Sequence, residues 1–420
     1  MESPTRLTRT GSWSVVALCS LVIVAEGYDL IVFGALIPSL LAEHGWQLDP
    51  AGIGAIGSLV YVGMLVGALV SGRLSDRFGR RRLVLASITI FMIFTAACAL
   101  ASAPEQLGLF RLLAGLGMGG VMPSVLALAK ENAPAKKINL VVTILMAGVP
   151  LGGTTASLLG LAIIPSAGWR PMFWIGAALS ALILAVSLLK LPESAEYAAN
   201  RASGASGKFQ DLFSRRYLKL TLLFAAAAFT NLLTWYGLNT WLTQLMKKLN
   251  YPLESALQFS LTLNIGAVIG SFLLAWLADK YGSRPIALIS SLITAAAIAG
   301  TAIGTTNAIL LLAFIAVMGM GAHSALNLIN AAVADSYPSQ LRATALGWSN
   351  GTGRLGAIAS PWLGGVILAS GAPPQAVFWT FVGSALASSV LIAFLVLTKT
   401  GAPSTPDHAI ERPAAARNTQ

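Results

Sequence analysis

The sequence predicts an all-α polytopic membrane protein, with twelve transmembrane helices in two pseudo-symmetric six-helix bundles, and three observations predict it. Of 420 residues, 56% are hydrophobic and only 10% charged, where soluble domains carry about 25% charge. Apolar runs long enough to span a bilayer, about 20 residues, fall at 13–41, 52–72, 83–102, 106–129, 138–163, 171–190, 218–246, 256–277, 286–304, 308–334, 343–369 and 375–398. A motif also recurs. Leu74-Ser-Asp76-Arg77-Phe-Gly79-Arg80-Arg81 returns as Leu277-Ala-Asp279-Lys280-Tyr-Gly282-Ser283-Arg284, an offset of 203 residues (279 − 76) that also carries Gly148 onto Gly351 and Gly153 onto Gly356. Two repeated halves with a site between them is a common transporter plan.

In chain order, a polar tail (1–12) leads into the first span. Arg6 and Arg9 before an apolar run resemble a signal peptide, but the run from Trp13 to about Leu41 exceeds an h-region of roughly 7–15 residues. The first bundle is expected over 13–190 and the second over 218–399. Between them a polar linker, 191–217, includes the flexible composition ASGASGK, and the Pro/Ala-rich tail 400–420 reads as disordered. Of 27 Lys and Arg, 22 fall on the side of the termini and three opposite (Arg170, Lys247, Lys248), while Arg111 and Arg354 lie within spans. That bias places both termini in the cytoplasm of a multi-pass protein of the cell (inner) membrane. It also accounts for the net charge of +11 without a nucleic-acid partner. Cys19 and Cys98 lie inside apolar runs without CxxC spacing, and His44, His323 and His408 are too scattered for a metal cluster. No metal or cofactor is expected, and a monomer in the lipid bilayer is.

The first span carries Glu26 and Asp29 near its middle. Carboxylates at that depth are expensive, rare and by default functional. Spaced i and i+3 they share a helix face, so one cavity is expected to see both. Their alternative role is a permanently salt-bridged structural acid. In the loop after the second span, Gly72, Asp76, Arg77, Gly79, Arg80 and Arg81, echoed by Asp279 and Arg284, read as a charge-paired conformational latch between helices. Topology-setting positive charge is the plainer reading.

These residues resemble the major facilitator superfamily, whose loop between helices two and three reads GxxxDRxGRR. Arg111-Leu-Leu-Ala-Gly115-Leu-Gly117 is similar to the superfamily's fourth-helix motif, and Leu191-Pro192-Glu193-Ser194 follows helix six as expected. The resemblance implies a two-bundle, alternating-access carrier. Glu26-Gly27-Tyr28-Asp29 is similar to the Asp-Gly-Tyr/Phe-Asp signature of the aromatic acid:proton symporter family, with Glu26 in place of the usual Asp. His323 and Arg354 resemble polar positions of that family.

The expected function is therefore proton-coupled uptake of a small aromatic carboxylate, hydroxybenzoate-like, by a transporter and not an enzyme. Glu26, Asp29 and Arg111 are the proton-coupling candidates. Arg354 either grips the substrate carboxylate in a bidentate bond or pairs with Asp29 or Glu26. Asn231, Trp235, Tyr236 and Asn239 lie along helix seven, where Asn can bond ring substituents and the aromatics can pack on a planar substrate. Ordinary helix packing or outer-interface belting is the plainer role for Trp235 and more so for Trp241. His323 joins the substrate set or is a satisfied core histidine. Asn264 and Asn327 are weaker candidates. Gly148-Val-Pro150-Leu-Gly152-Gly153 resembles a fifth-helix antiporter motif, which keeps a proton-coupled drug or metabolite antiporter, alongside a symporter of a non-aromatic organic acid, as the rival. Small-residue helix packing is the plainer reading of those glycines.

Overall fold

The computed structural model describes residues 12–134, 137–193, 209–305 and 307–397; the side chains of Arg73, Asp76 and Ser339 lie outside it. Most of both tails and the ASGASGK stretch are likewise outside the described residues. Within them are twelve long helices: α1 (Trp13–Leu41), α2 (Pro50–Phe78), α3 (Arg80–Ala99), α4 (Pro104–Glu131), α5 (Ile138–Ala167), α6 (Arg170–Lys190), α7 (Leu218–Lys248), α8 (Leu253–Tyr281), α9 (Ser283–Ile303), α10 (Ala308–Ser336), α11 (Ser339–Ala369) and α12 (Pro374–Leu397). Several outrun their apolar cores. A 29-residue helix such as α2 is about 44 Å long at 1.5 Å per residue, more than the roughly 30 Å hydrocarbon layer, so its end continues into the polar loop motif. Eleven helices are apolar enough to cross a membrane by composition alone. The exception, α11, carries Arg342, Asn350, Thr352 and Arg354.

The repeat is written in the backbone. Gly79 and Gly282 end α2 and α8 at φ +93° and +91°, a region that glycine enters at no steric cost. Helix packing repeats too. A Cβ on Gly115 would overlap the Val60 carbonyl, and one on Gly319 the Leu263 carbonyl; Gly63 and Gly266, 203 residues apart (266 − 63), do the same against Leu112 and Ala316. Between helices in lipid, such close approach supplies the packing that water-driven burial cannot. Gly27 and Gly152 let α1 and α5 touch in the same way, so the glycines of the antiporter-like segment serve helix packing here.

The conserved geometry of the repeated loop ties each half to itself. Arg80 pairs with Glu131 at the end of α4. Arg81 donates to the carbonyls of Leu188 and Leu191, both at 2.7 Å, where α6 ends. Arg284, its counterpart, donates to Leu395 O of α12 at 3.0 Å and to Ser336 Oγ at 2.8 Å. These arginines cap helix ends whose carbonyls lack intrahelical donors. Arg77 lies over the Phe78 ring, Asp279 is exposed, and Gly72 has open space about it. The 3₁₀ turn Phe209–Phe213 shows that the end of the linker is ordered: Phe209 and Phe213 pack edge-on against Trp348 of α11, and Leu212 is buried.

Contacts between the halves gather away from the face that carries the chain ends. Gly54 meets the Pro361 carbonyl, Gly365 meets that of Pro50, and Ser58 Oγ donates to Ile358 O at 2.7 Å. On the other flank Ser157 and Ser260 hydrogen-bond at 3.2 Å and Gly153 meets Asn264. Toward the chain ends, Gly347 and Gly351 of α11 have no neighbour within 4 Å of a Cβ position. The halves thus close on one face and part toward the other. On the closed face, within the N-terminal half, Glu43 accepts from Trp169 Nε1 at 2.8 Å and Arg170 Nη1 at 2.7 Å.

Gly115→Val and Gly319→Val should each drive helices apart and abolish monodisperse protein in detergent, read by fluorescence size-exclusion chromatography. Burial opposes ionisation of Glu43, but the hydrogen bonds from Arg170 and Trp169 and the Arg170 charge outweigh it and hold its pKa below the ordinary 4.5. A lowered folded pKa stabilises above the unfolded value and stops doing so as pH falls through the folded one. Glu43→Gln should therefore cost about 0.2–1 kcal/mol at pH 7, the range for a solvent-accessible pair, and in thermal unfolding the difference from wild type should shrink as pH falls below the ordinary carboxylate range.

Candidate functional site

The two carboxylates of α1 do not share an environment. A three-residue step rotates the side chain by about 300°, and the remaining 60° divides the two between different partners. Asp29, 2% exposed, turns into its own half. It forms an ion pair with Arg111 of α4 and accepts a hydrogen bond from Thr95 of α3. Arg111, 1% exposed, also donates to the Asp29 carbonyl at 3.1 Å and lies 5.0 Å over the Phe33 ring. Tyr28 fixes the rotation of α1 by donating to Met172 O of α6 at 2.8 Å.

Glu26, 1% exposed, turns toward the other half, and its Oε2 has no hydrogen-bond partner among the described residues. Its cationic neighbour is Arg354 of α11, whose charge also acts on Tyr236 of α7. The single cavity expected to hold both acids is therefore corrected: Glu26 faces the gap between the halves and Asp29 a closed pair within one. Arg354 accordingly sits with Glu26, while Asp29 is held by Arg111.

On α7, Asn231 donates through Nδ2 to Ala322 O of α10 at 3.2 Å, and Trp235, fully buried, packs its ring 4.8 Å from that of His323. Tyr236 is half-buried. Asn239 is committed elsewhere. Its Nδ2 bonds Trp235 O at 3.0 Å and its Oδ1 accepts from Asn264 at 3.2 Å, so each end of the amide has one partner within the α7–α8 pair. Of its two plainer roles Trp241 takes helix packing: it is 0% exposed and donates to Pro361 O at 3.0 Å. Its indole N–H needed a buried acceptor and found one across the helix pair, so it does not belt an interface.

Sequence reasoning missed Tyr61 of α2. Its ring lies 4.6 Å from that of Tyr236 in the other half, it hydrogen-bonds Thr240, and it feels the charges of both Arg111 and Asp29. The available signal was a phenol within an apolar run, since a buried tyrosine hydroxyl requires a partner. Thr95 offered no signal beyond its helix. Together the site has a compensated acid on one side, an acid facing an arginine across the gap, and two tyrosines between them.

Residues 19–271 and 259–419 match the family model of the Major Facilitator Superfamily. The chain belongs to that family. Major Facilitator relatives include a gentisate transporter of Corynebacterium glutamicum, 40% identical over 89% of this chain and 85% of that one. A benzoate transport protein of Acinetobacter baylyi is 31% identical over 91% and 89%, and a 3-(3-hydroxy-phenyl)propionate transporter of Escherichia coli 33% identical over 93% and 96%. Among solved Major Facilitator structures, the partially occluded inward-open xylose transporter XylE of E. coli superposes with TM-score 0.75 at 16% identity, covering 91% of this chain and 99% of that one. The fold is thus the Major Facilitator fold and the chain a multi-pass membrane transporter.

Asp29→Asn leaves a buried guanidinium without its anion, which typically costs about 3–5 kcal/mol. Its melting temperature in detergent should fall by several degrees, and the Asp29→Asn/Arg111→Gln double variant, which removes both charges, should recover part of that loss.

Proposed function

We propose that this chain carries a small aromatic carboxylate, hydroxybenzoate-like, into the cell together with protons by alternating access. The observation that carries the reading is Glu26: a buried acid with an unpartnered oxygen, facing Arg354 across the gap between the halves. A substrate carboxylate entering that gap competes for the guanidinium, which bonds carboxylates in pairs and does so strongly where water is excluded. An anionic Glu26 then loses its countercharge in an apolar setting, and a proton neutralises it. Substrate and proton are thereby loaded together. When the substrate departs, Arg354 again faces Glu26 and the proton leaves.

Asp29, compensated by Arg111 and Thr95, is the second coupling group, and Tyr61 with Tyr236 stands between the two pairs. Tyr236, Trp235 and His323 supply aromatic walls for a planar ring. The relatives named for gentisate, benzoate and hydroxyphenylpropionate support the aromatic acid as cargo. The excess of Lys and Arg beside the chain ends supports a cytoplasmic location for both termini in the inner membrane, which makes the open face the inward one. The protein works as a monomer in the bilayer, with the two six-helix halves, 13–190 and 218–399, rocking about the site.

The test is uptake of labelled aromatic acids into proteoliposomes with and without an inward proton gradient. Accumulation that collapses without the gradient is expected; exclusion of the acids would favour antiport. Arg354→Lys should lower uptake at least tenfold, since an ammonium cannot reproduce the bidentate grip. Glu26→Gln should abolish gradient-driven accumulation while retaining exchange of internal for external substrate. Full gradient dependence in Glu26→Gln would remove it from the mechanism.

A further inference from the structure

Pro150 lies inside α5. It has no N–H, so the carbonyl four residues earlier, that of Met146, lacks its helical donor. His323 Nε2 lies 3.1 Å from that oxygen, reaching across from α10 in the other half. A carbonyl only accepts, so Nε2 carries the hydrogen. Nδ1 is buried and has no partner among the described residues. A buried imidazolium without an anion is costly, so the ring is neutral and Nδ1 presents a lone pair. The proline on one helix thus sets the tautomer of a histidine on another.

Two asparagines lie beside it. Asn231 spends its NH₂ on Ala322 O, the residue before His323, and the reversed amide would oppose two carbonyl oxygens; its Oδ1 is buried and unpartnered. Asn327 lies one turn from His323 on α10, and its Oδ1 is also buried and unpartnered. The α7 and α10 helices run antiparallel, so Trp235 against His323 brings Asn231, one turn along α7, level with Asn327. The cluster offers three acceptors, and the unpartnered Ser324 hydroxyl beside them has only one hydrogen to give. Buried acceptors left unpaired are destabilising, and groups of them discriminate strongly for a ligand that brings donors.

We propose that Asn231, His323 and Asn327 read ring hydroxyls as hydrogen-bond donors, so that the carrier selects phenolic acids over rings whose substituents only accept or are apolar. This rests on the aromatic-acid reading above and adds to it the residues and the sign of the recognition. The carboxylate is held by Arg354, and the hydroxyl on the ring is offered to acceptors of the C-terminal half.

The test uses the full chain in proteoliposomes, with labelled 3-hydroxybenzoate and unlabelled competitors: 3-hydroxy-, 3-methoxy-, 3-fluoro- and unsubstituted benzoate. The 3-position is chosen because a 2-hydroxyl bonds its own carboxylate. Binding of the same acids to detergent-purified carrier is measured by calorimetry. We expect the hydroxy acid to compete about tenfold or more better than its methoxy partner. Asn327→Leu and His323→Leu should each compress that ratio at least threefold, and Asn327→Gln, which keeps an acceptor, should restore part of it. Equal competition by hydroxy and methoxy acids, or a ratio unmoved in both leucine variants, would overturn the proposal while leaving the aromatic-acid reading intact. Failure of every acid to bind or move would overturn both.

Discussion

A carboxylate placed in the middle of a bilayer-spanning helix has to find compensation, and α1 finds it on two sides. Asp29 is answered within its own half by Arg111 and Thr95. Glu26 is answered across the gap by Arg354. The first arrangement is fixed as long as the N-terminal half stays folded, because α1, α3 and α4 all belong to it. The second spans two bodies and changes with the distance between them. The two acids therefore differ in whether their partner belongs to their own half or to the other.

The packing supports this reading. Within each half, glycines bring helix backbones into contact, as Gly115 does with Val60 and Gly319 with Leu263. Such interfaces are short-range and tolerate little sliding, so each half moves as a unit. Between the halves, the closed face uses hydroxyls, carbonyls and glycines, such as Ser58 to Ile358 and Ser157 to Ser260. These hydrogen bonds are neutral and exchange readily for others, as the proposed alternating access requires of this boundary.

Much of the fold was legible because bilayer crossing leaves a coarse mark. Twelve apolar runs and one repeated Gly-and-Arg motif were enough for helix number, repeat and family. The rotation of each helix was not legible. Glu26 and Asp29 looked like occupants of one cavity, and only the positions of Arg111, Thr95 and Arg354 on three other helices separate them. Trp241 read as a helix-packing or a membrane-interface residue alike because its partner, the Pro361 carbonyl, is 120 residues away. Asn239 read as a substrate group because its partner Asn264 lies on the next helix. Tyr61 was invisible for the same reason. Its meaning comes from Tyr236, contributed by the other half.

The polarity of α11 bears on how the protein is made. A helix that carries Arg342, Asn350, Thr352 and Arg354 lacks the apolar content to partition into lipid unaided. Its companions are α7, which receives Gly353 and Gly356 along one side, and α2, whose Gly54 meets Pro361 on another. Both emerge earlier from the ribosome. The eleventh crossing is therefore a matter of assembly rather than of solubility in oil, and the groove that admits it has to exist beforehand.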